Sequence, residues 1–267
     1  MILFKLISSL KIGFINIMED NTLKTVFVIF LITFILYFFS IFLGYLISML
    51  FCHYYSKKSV LNQHCLSDKN INPSKVVVNN KPEKQNRLKF LIVHGFINGI
   101  IHYFCLKAGR IPSFALRKWL YRHVFCMSVG KNAIIYGGCE FRSPWNIRIG
   151  NSVIGANSVL DARGGIRIGD NVCTSSQVNI WTMQHDPQDS AFGVNKGLVE
   201  IDDYAWISSK ATILPGRMIG EGAVIANSSV VTKNCEPFSI YAGIPAHKIG
   251  ERNKDLHYQL RDHWWFM

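Results

Sequence analysis

The chain has 267 residues, 49% of them apolar, and a formal net charge of +12 from 29 Lys and Arg against 17 Asp and Glu. That length allows one or two domains with a sizeable core. No zinc-finger spacing or RNA-binding motif accompanies the basic charge, which argues against a nucleic-acid partner, and seven cysteines without a C-x-x-C pair argue against a disulfide framework.

From Thr25 to Cys52 the sequence runs for twenty-eight residues without a formal charge. About 20 apolar helical residues cross a bilayer core, so residues 1–52 are predicted to form a membrane anchor with its span at about 25–52. A cleaved leader has a shorter apolar core and a small-residue cleavage site, which this run lacks. Residues 53–89 form a basic linker: Lys57, Lys58, Lys69, Lys75, Lys81, Lys84, Arg87 and Lys89 oppose only Asp68 and Glu83. This asymmetry places the linker and everything after it in the cytoplasm and makes the protein a single-pass protein of the inner membrane, with the anionic lipid surface as a partner of the basic residues.

Residues 90–127 read as a helical interfacial or capping region. The stretch FLIVHGFINGIIHYFCL is uncharged but broken by His94, Gly95, Asn98, Gly99 and His102, so a second span, an interfacial helix and a buried helix all fit, although a second span would force the basic 53–89 loop outside, which the charge asymmetry disfavours. In SFALRKWLYRHVF, Phe114, Leu116, Trp119, Leu120 and Val124 alternate with Arg117, Lys118, Arg122 and His123. This is an amphipathic basic helix suited either to a membrane surface or to a domain edge.

The dominant signal lies in residues 128–236. Written in sixes from Ile201, the chain is IDDYAW, ISSKAT, ILPGRM, IGEGAV, IANSSV, VTKNCE, with Ile or Val opening every block. The same interval runs from Ile154 and again from Ile168. It matches neither the helical period of 3.6 nor the strand period of 2, and an irregular sandwich would not hold this phase for thirty-six residues. Short strands separated by tight turns, three to a coil, produce it, so the fold class is an all-β parallel helix whose inward residues stack eighteen positions apart. Gly150, Gly155, Gly169 and Gly220 follow inward residues, and Asn151, Asn157, Asn171 and Asn227 are expected at corners with positive φ. The open first and last coils need covers, the second from residues 237–267. Between 181 and 199 the interval breaks around His185.

The hexapeptides, a histidine in an excursion, DDYAWISSKATILPG and GAVIANSSVVTKNCEPFSIYAGIPAHKIG together resemble the left-handed β-helix acyltransferases, most closely the maltose, galactoside, capsule and O-antigen sugar O-acetyltransferases. The resemblance covers roughly residues 110–250. It implies a left-handed coil, a homotrimer with sites between subunits, acetyl-CoA as donor and a sugar hydroxyl as acceptor. A membrane anchor departs from the soluble members and points to a lipid-linked glycan of a surface polysaccharide, O-antigen or capsule, as acceptor.

Acetyl transfer from a thioester to an alcohol needs a base for the hydroxyl proton and donors for the oxyanion. His185 matches the family's catalytic histidine in the phrase from Ile180 to Asp186, with a backbone carbonyl or a carboxylate expected on its other ring nitrogen. Asp161 and Asp186 are the two candidate acids for that role or for the sugar hydroxyl, and each also suits a turn cap. Asn179 and Gln184 are candidates for the acceptor pocket. The oxyanion donor is expected to be a backbone N–H. By resemblance, Trp206 walls the site or packs between subunits, the main chain of Ser208 lies near the thioester, Ser208 and Ala226 match positions along the pantetheine arm, and Thr232, Lys233 and Lys248 lie near the adenine and phosphates. No metal is expected, because a hydratase on this coil needs about three converging histidines and the repeats offer only His185. Amino-sugar N-acetylation, serine O-acetylation and a non-enzymatic scaffold in polysaccharide assembly remain as alternatives.

Overall fold

The computed structural model describes residues 21–67 and 84–260, with side chains for 25–59 and 92–260. Lys69, Lys75 and Lys81 of the basic linker, residues 1–20 of the anchor and residues 261–267 of the C-terminal segment lie outside the described residues. Helix α1 (Asn21–Ser67) contains the apolar run and continues beyond it. Its segment Thr25–Ser59 is, among the described residues, the one helix long and apolar enough to cross a membrane. The chain divides into two compact units, Met1–Tyr45 and Leu46–Met267.

In the second unit, α2 (Lys84–Gly109) and α3 (Phe114–His123) precede a three-sided β-solenoid. Face 1 contains the parallel strands Ser128–Val129, Ile147–Ile149, Ile166–Ile168, Val199–Ile201 and Met218–Ile219. Face 2 contains Ile134–Ile135, Val153–Ile154, Cys173–Thr174, Trp206–Ile207, Val224–Ile225 and Ser239–Gly243, and face 3 contains Glu140–Arg142, Val159–Asp161, Asn179–Trp181, Thr212–Ile213 and Val230–Val231. Ile201, Ile207, Ile213, Ile219, Ile225 and Val231, the six block openers, are all buried inside the prism. The core is therefore a set of aliphatic columns, each held in line by the hydrogen-bond ladder of its own face.

The eighteen-residue stacking interval holds only in the later coils, where Ile201 pairs with Ile219 and Ile207 with Ile225. Earlier coils are longer: Ile149 pairs with Ile168, nineteen residues on, and Leu160 with Ile180, twenty residues on. The extra residues sit at corners, where they leave the ladders undisturbed. Asn157 and Asn171 have positive φ as expected, but Asn151 and Asn227 do not, and Ser228 takes the left-handed position in the later corner. Gly150 and Gly155 are required for a different reason. A Cβ at Gly150 would come within 2.5 Å of the Gly169 carbonyl oxygen, and one at Gly155 within 2.3 Å of Ser175 backbone, because successive coils touch there main chain to main chain.

Helix α3 packs on the edge of the coil with Leu120 and Val124 buried, but three residues lie on the face opposite to the one expected. Leu116 and Trp119 are exposed, whereas Arg117, assigned to the polar face, is 1% exposed. The first coil presents an open edge of strand carbonyls, and the helix's cations cover it. Arg117 Nη2 donates to the Ile135 carbonyl at 3.0 Å, Lys118 Nζ to those of Lys131 at 2.8 Å and Ala133 at 3.2 Å, and Arg122 Nε to that of Val129 at 2.9 Å. Ser113 caps the helix by accepting from Leu116 N–H. In α2, Ile101, Cys105 and Ala108 are buried while Ile92, Val93, Phe96 and Tyr103 are exposed, so this helix packs with one flank only. The last coil is closed by Ala246–Glu251, which pairs antiparallel with Ser239–Gly243.

The contact at Gly155 yields a direct test. Gly155→Ala forces a Cβ into the Ser175 backbone and is expected to cost about 1–3 kcal/mol, read as a lower melting temperature by circular dichroism. An unchanged melting temperature would show that the coils are not stacked this closely.

Candidate functional site

The break in the repeat lies at the corner leading from face 3 to face 1. Ile168 pairs with Ile201, an interval of 33 residues where the next coil uses 18, so fifteen residues are extra. They form a β-hairpin rather than an open loop, with Met183–His185 antiparallel to Val194–Lys196. Its base is pinned to the coil. Thr182 Oγ1 donates to the Asp161 carbonyl at 2.5 Å and accepts from Gly164 N–H at 2.7 Å, and Gly197 N–H donates to the Thr182 carbonyl at 3.0 Å.

The tip is built by two aspartates. Asp186 accepts from Gln188 N–H at 2.9 Å and from Asn195 Nδ2 at 3.1 Å, and Asp189 accepts from the N–H groups of Ala191 at 2.9 Å and Gly193 at 3.0 Å. This geometry places Phe192, itself at positive φ, against the histidine. The two rings stack at 4.0 Å between centroids and 10° between planes, and His185 Nδ1 lies 2.9 Å from the Phe192 carbonyl oxygen. A carbonyl can only accept, so Nδ1 bears the proton and Nε2 of the neutral ring keeps a lone pair. His185 is exposed, and this contact fixes its ring with Nε2 as the nitrogen able to accept a proton.

Neither acid orients the histidine within one chain. Asp186 is occupied by the hairpin turn. Asp161, at 0% exposure, is held by Arg163, whose Nε lies 2.8 and 3.0 Å from its two oxygens, with Arg142 Nη1 at 4.0 Å. The hydrogen bond that Arg163 donates to Asp161 in turn holds the guanidinium pKa above its ordinary value. The orienting group is the Phe192 carbonyl. The turn residues D-P-Q-D were a legible signal for the hairpin, but a main-chain carbonyl leaves no trace in residue identity.

The donor-side residues lie elsewhere on the prism. Trp206, on face 2, is 44% exposed, and its Nε1 donates to Ser175 Oγ at 3.4 Å. Ser208 and Ala226 occupy the corner from face 2 to face 3. Their N–H groups are consumed by the coil, donating to the carbonyls of Ile225 at 2.9 Å and Tyr241 at 2.8 Å, so the N–H of Ser208 is not open to an oxyanion. Among the described residues, the next N–H groups along, those of Ser209 and Asn227, have no hydrogen-bond partner, as do those of Ala156 and Ser176 at the same corner of the earlier coils. Cys173 is in register with Trp206, and burial pushes its thiol pKa up, which disfavours a thiolate nucleophile.

Thr232 and Lys233 lie at the corner from face 3 to face 1, two coils beyond the hairpin. The Thr232 carbonyl accepts from Arg217 Nη1 at 3.1 Å, and Lys233 is exposed. Lys248 Nζ is already paired, 2.9 Å from Glu236 and 3.3 Å from Glu251, and these hydrogen bonds raise its pKa. Asn179 is half-buried on face 3 beside Thr212, and Gln184 is exposed in the hairpin opposite Asn195. Within one chain His185 therefore lies at the corner from face 3 to face 1, the Ser209 and Asn227 N–H groups at the corner from face 2 to face 3, and Trp206 on face 2. Among the described residues, no cluster of three or more His, Cys, Asp or Glu side chains is arranged to hold a metal.

No family model matches the chain. It is 32% identical over 153 residues to the galactoside O-acetyltransferase of Escherichia coli, covering 55% of this chain and 74% of that protein. It is 29% identical over 130 residues to the Escherichia coli acetyltransferase named for colanic acid biosynthesis, covering 48% and 71%. Identities of 42 to 44% are confined to segments of 67 to 72 residues, in relatives of whose length this chain spans 32 to 40%. Among solved structures, the maltose O-acetyltransferase of Clostridium difficile superposes with a TM-score of 0.50 at 28% identity, covering 57% of this chain and 87% of that one. With this coil and these relatives, the chain belongs to the hexapeptide-repeat, left-handed β-helix acetyltransferases.

Proposed function

We propose that this acetyltransferase moves the acetyl group of acetyl-CoA to a sugar hydroxyl of a lipid-linked or surface polysaccharide, working as a membrane-anchored homotrimer at the cytoplasmic face of the inner membrane. The observation that carries this reading is the extruded hairpin, which presents His185 with Nδ1 held by Phe192 and Nε2 open. The sugar relatives support the acceptor class, and the Thr25–Ser59 helix supports the anchor.

The chemistry follows from these groups. Nε2 takes the proton of the acceptor hydroxyl as its oxygen attacks the thioester carbonyl. The tetrahedral oxyanion needs preorganised donors, and the unpaired N–H of Ser209 offers one. Collapse breaks the C–S bond and expels the CoA sulfur, which receives the proton back from the imidazolium. Base and donor lie at different corners of one prism, so a site containing both is completed by a neighbouring copy in a head-to-tail ring, which supports the trimer. Exposed Trp206 and Lys233 then suit the pantetheine groove and a phosphate, whereas Lys248 is already compensated by two carboxylates.

Two measurements check this reading. His185→Ala is expected to lower kcat by about 10²–10⁴-fold while acetyl-CoA binding by calorimetry is unchanged, and retained turnover would remove the general base. In fractionated cells the full chain is expected to stay in the pellet after alkaline carbonate washing, and a chain lacking residues 1–59 to move to the supernatant. Full-length protein in the supernatant would contradict the anchor.

A further inference from the structure

Between α2 and the first coil lies a cavity of about 320 Å³, within the size range of small-ligand sites. Asn98, Gly99 and His102 line it from the helix, and Arg142, Trp145 and Arg163 from the coil. It sits on the same corner, from face 3 to face 1, as the His185 hairpin. Three consecutive coils supply that corner: residues 143–146, residues 162–165, and the hairpin. At roughly 4.8 Å per strand step, the cavity floor and the hairpin base are about 10 Å apart. Along the way Arg142, Asp161 and Trp181 stand in one register row, with the Arg142 guanidinium 5.6 Å from the Trp181 ring centroid.

Three features point to an occupant. The charges cancel, since Arg142 Nε is 2.7 Å from Glu140 and Arg163 is bonded to Asp161, so a phosphate-rich donor gains little here. Each guanidinium nevertheless has five N–H donors, more than these contacts use, and the side-chain oxygen of Asn98, whose Nδ2 lies 3.0 Å from His94 Nδ1, adds an acceptor, so the lining suits a ligand that both donates and accepts. Trp145, whose ring stacks on Tyr55 at 4.7 Å between centroids, adds an apolar wall beside these groups. Gly99 lines the cavity from mid-helix, and a Cβ there would meet nothing within 4 Å, so a larger side chain can enter the cavity from this side without a backbone clash.

We infer that this cavity is a saccharide subsite holding the sugar unit next to the one that is acetylated, so that the acceptor is an oligosaccharide and not a free monosaccharide. The inference rests on the proposed sugar O-acetylation and adds the length of the acceptor to it.

Full-length protein in lipid nanodiscs is assayed for CoA release from acetyl-CoA against methyl glycosides of one, two and three sugar units. For the accepted sugar, the disaccharide is expected to exceed the monosaccharide in kcat/KM by about tenfold, through KM. Trp145→Ala, and Gly99→Leu, which fills the cavity from the helix side, each bring the disaccharide down to the monosaccharide value. Neither changes the KM for acetyl-CoA, and Gly99→Leu melts no lower than the wild type, so its effect is occlusion and not unfolding. Equal kcat/KM for the two lengths, or a disaccharide advantage retained in Gly99→Leu, overturns the subsite while acetyl transfer to sugars stands. If no saccharide accepts acetyl, the underlying reading fails and the subsite is decided by binding to an oligosaccharide array. Binding lost in Gly99→Leu supports it, and absent or equal binding overturns it.

Discussion

Everything in the second unit follows from the stacking of coils at main-chain contact distance. The aliphatic columns fill the prism, and at Gly150 and Gly155 the corners close until no side chain fits between layers. A stack of this kind has no internal room for a substrate. Chemistry is therefore confined to what the corners add, and the corner from face 3 to face 1 receives the additions: the turn containing Trp145, Arg163 and its carboxylate partner, and the hairpin with His185.

Stacking also creates two open edges, which this chain covers in two ways. At the last coil a returning antiparallel strand satisfies the ladder. At the first coil a helix lies across the edge, and Arg117, Lys118 and Arg122 supply the donors that a strand would have supplied. The cations of α3 are thus explained by carbonyls of the protein itself, and burial lowers the Arg117 pKa only from a very high starting value, so its charge is kept.

The repeat was legible in the sequence because each inward position is an aliphatic residue and the phase survives many coils. Coil length was not, since one or two extra residues at a corner leave the inward column intact. The position of Arg117 was hidden because helical alternation assigns charge to solvent, and only tertiary packing creates the edge that reverses this. His185 stood out as a histidine inside a broken rhythm, yet its orienting group is the Phe192 main chain, invisible to residue identity. The same limit separated Ser208 from Ser209: adjacent serines look alike in sequence, and only the ladder decides which N–H is already used.

The central claim is that the interruption serves chemistry and the coil does not need it. Excision of residues 183–197 removes the fifteen extra residues and joins Thr182 to Leu198, giving the interrupted coil the eighteen-residue length of the next. The account predicts a shortened protein that melts at or above the wild-type temperature and releases no CoA from acetyl-CoA in the presence of sugar acceptors. A shortened protein that unfolds, or one that still transfers acetyl groups, would contradict it.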